Sequence, residues 1–364
     1  MEINNIVSYC EFLYSLMKKF SNSFDINQIE KQTNRDIDLL KTELKYFINE
    51  IYSKSDYSIK NTEIKQYSDI EKMNCSLSYK LLNGTKVKFL TKNNNNESLI
   101  ISLLLLIHLF YEIYKYINQN KQGNDTKWNE LTIIILLDDN KRILDTHATM
   151  YKKSLAMNPS GCTLFRKQTI FCTRIEEIHK LLFHELIHYV HDDIPSLITN
   201  DEKESIEKIN ISYLGQTIQV KWNIIPNSLI IREGCAEAKA ILYNCAFNKL
   251  ICDQLNINVR IEKLIEAEIL YSKYLCGQIL LFNGITDFHS FFSGNPNNKY
   301  LMSRIYIGEY VFMRTSLLLT NFNNLDFDFS DQITKVPLNN SVKYTFFEID
   351  YSNLKYSNGF ILIK

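Results

Sequence analysis

Net charge is missing from this chain of 364 residues: 41 basic and 41 acidic residues cancel, and no long block of either sign occurs. Electrostatic capture by nucleic acid or by an anionic membrane is therefore not expected. No C-x-x-C pair occurs among the eight cysteines, Cys10, Cys75, Cys162, Cys172, Cys235, Cys245, Cys252 and Cys276, and their density is below that of a secreted disulfide scaffold. Reduced thiols in a reducing compartment are expected. The opening stretch "MEINNIVSYCEFLYSLMKKF" lacks a basic leader and a small-residue cleavage site, so no secretory signal is read and an intracellular, cytoplasmic location is expected. Glycine (10) and proline (5) are scarce beside abundant Asn, Ile, Lys, Tyr and Phe, a bias that reads as A+T-rich coding rather than as chemistry. No internal repeat is found.

What is present is enough apolar material, 45% of residues, to fill a real core in one large domain or two ordinary ones. The most apolar stretch, "LIISLLLLIHLFYEIYKYI" (Leu99 to Ile117), is interrupted by Ser102, His108, Glu112 and Lys115. Its uncharged part is too short for a bilayer core, which needs about 20 apolar residues, so a buried core helix is expected. Residues 1 to about 80 read as helical from apolar spacings of three and four. "TKNNNNES" is the clearest break and divides a mostly helical N-terminal region, 1–97, from a second region, 98–364.

The second region mixes strands and helices, giving an α+β class. "LTIIILL" reads as a buried strand, and "SGCTLFRKQTIFC" as a partly exposed one. Thr173 and Glu176 have the spacing of a capping box that opens a helix. Ile209 to Trp222 reads as a hairpin, Ser228 as a possible cap for a later helix, and the last twenty residues as terminal strands.

Four of the seven histidines crowd into "IHKLLFHELIHYVH". Residues four apart share a helix face, so His184 and His188 can hold one cation between them. Glu185 projects about 100° round the helix, out of the ligand shell but within reach of a water there. H-E-x-x-H therefore supplies two ligands and a general base. A third ligand leaves the fourth position for water, and "IREGCAEAKA" offers Glu233 and Glu237 on one face of the later helix. Glu233 is assigned as the third ligand and Glu237 as the carboxylate that orients a ligand histidine; the reverse assignment stays open. His191 shares the face of His184, and His179 reads as a solvated neighbour.

"HELIH" on one helix followed by "EGCAE" on another resembles the gluzincin class of zinc peptidases, which includes thermolysin-like enzymes and clostridial neurotoxin light chains. The longer pattern, "NPSGCT" and "TIFC", then "RIEEIHKLLFHELIH", then "REGCAEAKA", is similar to metalloproteases ascribed to large DNA viruses, and a viral source would place the protein in host cytoplasm or virion. The resemblance implies a zincin-like catalytic domain over 98–364, one Zn2+ per chain, and hydrolysis of a protein or peptide substrate by a metal-activated water. It also implies a Tyr, His or Arg oxyanion donor, for which Arg174, Arg304, Tyr306, Tyr310 and Arg314 are the candidates. Two other readings stay open: a non-catalytic protein clipped by zinc, or a deformylase-like hydrolase that needs Cys235 at the metal. The oligomeric state is not legible.

Overall fold

The structure is a computed structural model and describes residues 6–32, 37–53, 69–92, 96–119, 125–139, 154–155, 161–190, 208–213, 216–221, 231–282, 302–303, 308–320, 345–351, 354–357 and 360–363. Its helices are α1 (Ile6–Ser21), α2 (Ile37–Ser53), α3 (Glu97–Ile117), α4 (Asp125–Glu130), α5 (Ile178–Tyr189), α6 (Ile231–Gln254), α7 (Ile261–Phe282) and α8 (Arg314–Thr320). The strands are β1 (Glu30–Gln32), β2 (Cys75–Lys80), β3 (Lys86–Thr91), β4 (Thr132–Leu137), β5 (Ser154–Leu155), β6 (Gly161–Leu164), β7 (Thr169–Thr173), β8 (Lys208–Tyr213), β9 (Gln216–Lys221), β10 (Met302–Ser303), β11 (Leu354–Ser357) and β12 (Phe360–Ile363).

The class is mixed α+β. One six-stranded sheet runs in the order β1-β2-β3-β4-β7-β6. Its centre, β3-β4-β7, is parallel, and antiparallel strands close both sides, with β6 outermost beside β7. β4 is apolar after its first residue, Thr132, because a central parallel strand is covered on both faces. Ile133, Ile135, Leu137, Ile170 and Cys172 enter the large core beneath α1, α3, α5, α6 and α7. Ile134, Leu136 and Phe171 point the other way, into a small core under α2. The period of two along each strand thus sorts residues into the two layers.

Strands β1, β2 and β3 lie in the region expected to be mostly helical. "CSLSYK" and "KVKFLT" alternate, and their pairing with each other and with β4 outweighs local helical preference. Position 97/98, expected to divide two regions, falls in the first turn of α3, and α1 contributes Ile6, Cys10, Leu13 and Met17 to the same cluster as α6. Helix α3 is buried over most of its length, as expected of a core helix. β8 and β9 pair antiparallel as the expected hairpin, and β11 and β12 form the terminal strands. Ser228 lies outside the described residues.

The expected capping box does not form. Thr173 ends β7, and Arg174 (φ 78°) and Glu177 (φ 63°) turn the chain through left-handed conformations before α5 starts at Ile178. A remote segment supplies the cap instead. The Glu177 N–H donates to Glu348 Oε1 at 2.8 Å, and Thr345 N–H donates to Glu177 Oε1 at 2.7 Å. A carboxylate at a helix N-terminus also suits the helix dipole.

Candidate metal centre

Helix α5 carries His184 and His188 one turn apart, with Nε2 atoms 2.9 Å from each other and rings 78° apart in plane. The first turn of α6 brings Glu233 Oε2 to 3.4 Å from His184 Nε2 and 3.2 Å from His188 Nε2. These three edges match a face of a tetrahedral zinc site, because ligands about 2.0–2.1 Å from a central ion lie about 3.3 Å from one another. Among the described residues this is the group of His, Cys, Asp and Glu that converges in this way. The histidines are buried, and Glu233 keeps 19% of its side chain exposed.

Glu237, one turn further along α6, meets the other nitrogen: its Oε2 lies 3.0 Å from His184 Nδ1. Its Oε1 accepts from Lys180 Nζ at 2.6 Å and from Arg314 Nη1 at 3.1 Å. The two glutamates left open by the sequence thus occupy different sides of the same imidazole. Burial favours the neutral form of Glu237, but Lys180, then His184 and Arg314, outweigh it and hold the carboxyl well below the ordinary range. Burial of Glu233 is likewise outweighed by its bonds to His184 and His188, and its carboxyl is also low. His184 is disfavoured as a cation by burial and by His188, yet Glu233 and Glu237 raise its pKa overall.

Glu185 lies on a neighbouring face of α5, against strand β6. Thr163 Oγ1 donates to its Oε2 at 2.7 Å, and the backbone carbonyl of Glu185 is 3.1 Å from the same hydroxyl. Burial pushes the Glu185 carboxyl up, with His184, His188 and Thr163 opposing. The five site residues read from sequence, His184, Glu185, His188, Glu233 and Glu237, are therefore brought together.

Other expectations fare differently. His179 is not a solvated neighbour. It is buried, lies 2.8 Å from Ser102 Oγ, and stacks on Tyr351 and Phe247 with ring centroids 4.7 and 5.5 Å away. Cys235 sits in the apolar core rather than in the ligand group, being two residues and about 200° of helix away from Glu233. Arg314, a candidate oxyanion donor, is wholly buried against Glu237. Arg174 is buried at the turn before α5, and Tyr310 falls in the π-helical segment Gly308–Met313. Arg304, Tyr306 and His191 lie outside the described residues. Lys180 and Thr163 were missed. Lys180 precedes His184 by one turn, so its place on the ligand face was legible, whereas Thr163 gave no local signal.

No protein-family model matches the chain, and no solved structure matches it. It is similar to "Uncharacterized protein R210" of Acanthamoeba polyphaga mimivirus, at 28% identity over 339 residues, covering 87% of this chain and 79% of that protein. A relative from a large DNA virus agrees with the viral resemblance of the sequence.

Proposed function

We propose that the chain is a single-zinc metallopeptidase of gluzincin type, with a zincin-like domain formed around α5, α6 and the sheet. The observation that carries this reading is the convergence of His184, His188 and Glu233, with Glu185 set beside them against an edge strand. His184 and His188 offer Nε2, Glu233 offers Oε2, and Glu237 orients His184 from behind. Zinc in that triad would supply Lewis acidity toward a carbonyl and lower the pKa of a water to about 7. Three protein ligands leave one position for substrate or water, which favours an enzyme over a structural clip. The position of Cys235 in the core weighs against the deformylase-like reading.

Glu185 is the proton carrier. Its Oε2 is engaged by Thr163, which leaves Oε1 to take a proton from water as the oxygen adds to the carbonyl carbon. The same oxygen then gives that proton to the nitrogen as the C–N bond breaks. A carboxyl whose pKa is raised by burial suits both halves of the transfer. The substrate class is protein or peptide: among the described residues β6 is the outer strand of the sheet and lies beside Glu185, and an extended peptide can add to such an edge. Nucleic acid and membrane are not proposed partners.

Glu185→Gln tests the reading. Zinc content and thermal stability are expected to stay at the wild-type level, while cleavage of a protein substrate falls about 10² to 10⁴-fold. Equal rates for wild type and variant on that substrate overturn the proposal.

A further inference from the structure

Strand β6 and Glu185 meet in two ways, and the two contacts come from alternate residues of the strand. Positions 161 and 163 point to the same face of the sheet. At 163, a hydroxyl donates to Glu185 Oε2 at 2.7 Å and lies 3.1 Å from the Glu185 carbonyl oxygen, so one side chain is tied to both the carboxylate and the backbone of the same residue. At 161 there is no side chain. A Cβ placed there would lie 2.5 Å from Glu185 Oε1 and 3.0 Å from its Cδ and Cγ. The carboxylate and its stem are therefore laid across the bare backbone of Gly161, closer than a Cβ there would permit unless the glutamate shifts.

A buried glutamate has three side-chain torsions, and losing that freedom has an entropic cost that specific contacts must offset. Here one oxygen is bonded and the other is seated over a gap. Rotation away from β6 would break the Thr163 bond and leave a buried carboxylate oxygen without that donor, which is unfavourable. We propose that Thr163 and Gly161 are positioning residues for Glu185, fixing its carboxylate on β6 with Oε2 tied and Oε1 presented for proton transfer. The inference rests on the metallopeptidase reading for its catalytic meaning, while its geometric content stands on β6 and α5 alone.

The test uses the full chain with Thr163→Val, which keeps shape and removes the hydroxyl, Thr163→Ser, which keeps the hydroxyl, and Gly161→Ala. Crystal structures of each variant, without added metal and with zinc, read the position of the Glu185 carboxylate directly. Hydrolysis of denatured casein reads its use. In Thr163→Val the carboxylate is expected to leave β6, with zinc content unchanged, KM within about twofold and kcat lowered about 10- to 100-fold, the scale on which small misplacements act. Thr163→Ser recovers most of that loss. Gly161→Ala displaces Oε1, and if it does not fold, Thr163→Val decides. A Thr163→Val protein whose carboxylate stays in place and whose kcat is unchanged overturns the inference. If wild type and Glu185→Gln cleave casein at equal, measurable rates, the metallopeptidase reading fails instead; whether or not casein is cleaved, the crystallographic comparison still decides the positioning claim.

Discussion

Lys180 Nζ and Glu237 Oε1 lie 2.6 Å apart, with 2% and 1% of their side chains exposed. Stripping one partner from a buried pair typically costs about 3–5 kcal/mol. Because Arg314 also holds Glu237, Lys180→Met is expected to destabilise by about 3 kcal/mol, the low end of that range. Urea unfolding of Lys180→Met, Glu237→Met and the double variant should show the double losing less than the sum; simple additivity would mean the pair is not coupled.

The two glutamates of α6 should separate by role. Glu233→Gln is expected to abolish zinc retention through dialysis, whereas Glu237→Gln keeps zinc with about 10- to 100-fold weaker affinity. Chelator competition at fixed pH measures both. Should Glu237→Gln prove the more damaging, the roles are exchanged.

Removing zinc should soften the protein without unfolding it. α5 and α6 are already held by the apolar core, and Glu237 by two cations, so the site does not depend on metal to assemble. At free zinc about 100 times Kd, the loss on chelation is expected to be about 2.7 kcal/mol. Loss of the far-ultraviolet helical signal on chelation would contradict a preformed site.

His179 should make the fold acid-sensitive. Burial depresses its pKa to about 3, against 6.5 for the free side chain. The unfolded chain therefore takes up this proton first as pH falls. Its contribution to stability is complete above about pH 6.5 and declines from there toward pH 3, by up to about 1.4 kcal/mol per pH unit. His179→Gln removes that component, which shows as a shallower fall of the urea midpoint between about pH 7 and pH 5; an unaltered slope assigns the acid sensitivity elsewhere.

The remote cap of α5 is also open to measurement. Glu348→Ala removes the acceptor for the Glu177 N–H and is expected to cost about 1 kcal/mol, the usual scale for a lost helix cap. A change in thermal midpoint no larger than that of a control alanine at exposed Glu262 would count against it.

The site was readable where one helix carries the pattern. His184 and His188 are set four apart, Glu233 and Glu237 likewise, and helical periodicity alone predicts what each pair can face. The hairpin β8–β9 was legible from its alternation, whereas the strand β4 and the long helix α3 were legible as apolar runs of strand and helix length. What escaped depends on partners distant in sequence. β2 and β3 are short and mildly polar, and become strands by pairing with each other and with β4. The cap of α5 comes from Glu348, the clamp on Glu237 partly from Arg314, and the bond on Glu185 from Thr163, none of which a local window can contain.

All twelve residues of α5 are buried. Most helices keep a wet side, where amides trade their protons with solvent through brief local fraying. This one is enclosed by the sheet below and by α3 and α6 around it, so its amides can reach water only when that enclosure opens. In a deuterium-exchange experiment α5 should belong to the slowest class of amides, and the free energy read there should follow the global unfolding free energy as denaturant is added. The segment that carries His184 and His188 would then serve as the internal gauge of the stability of the whole core.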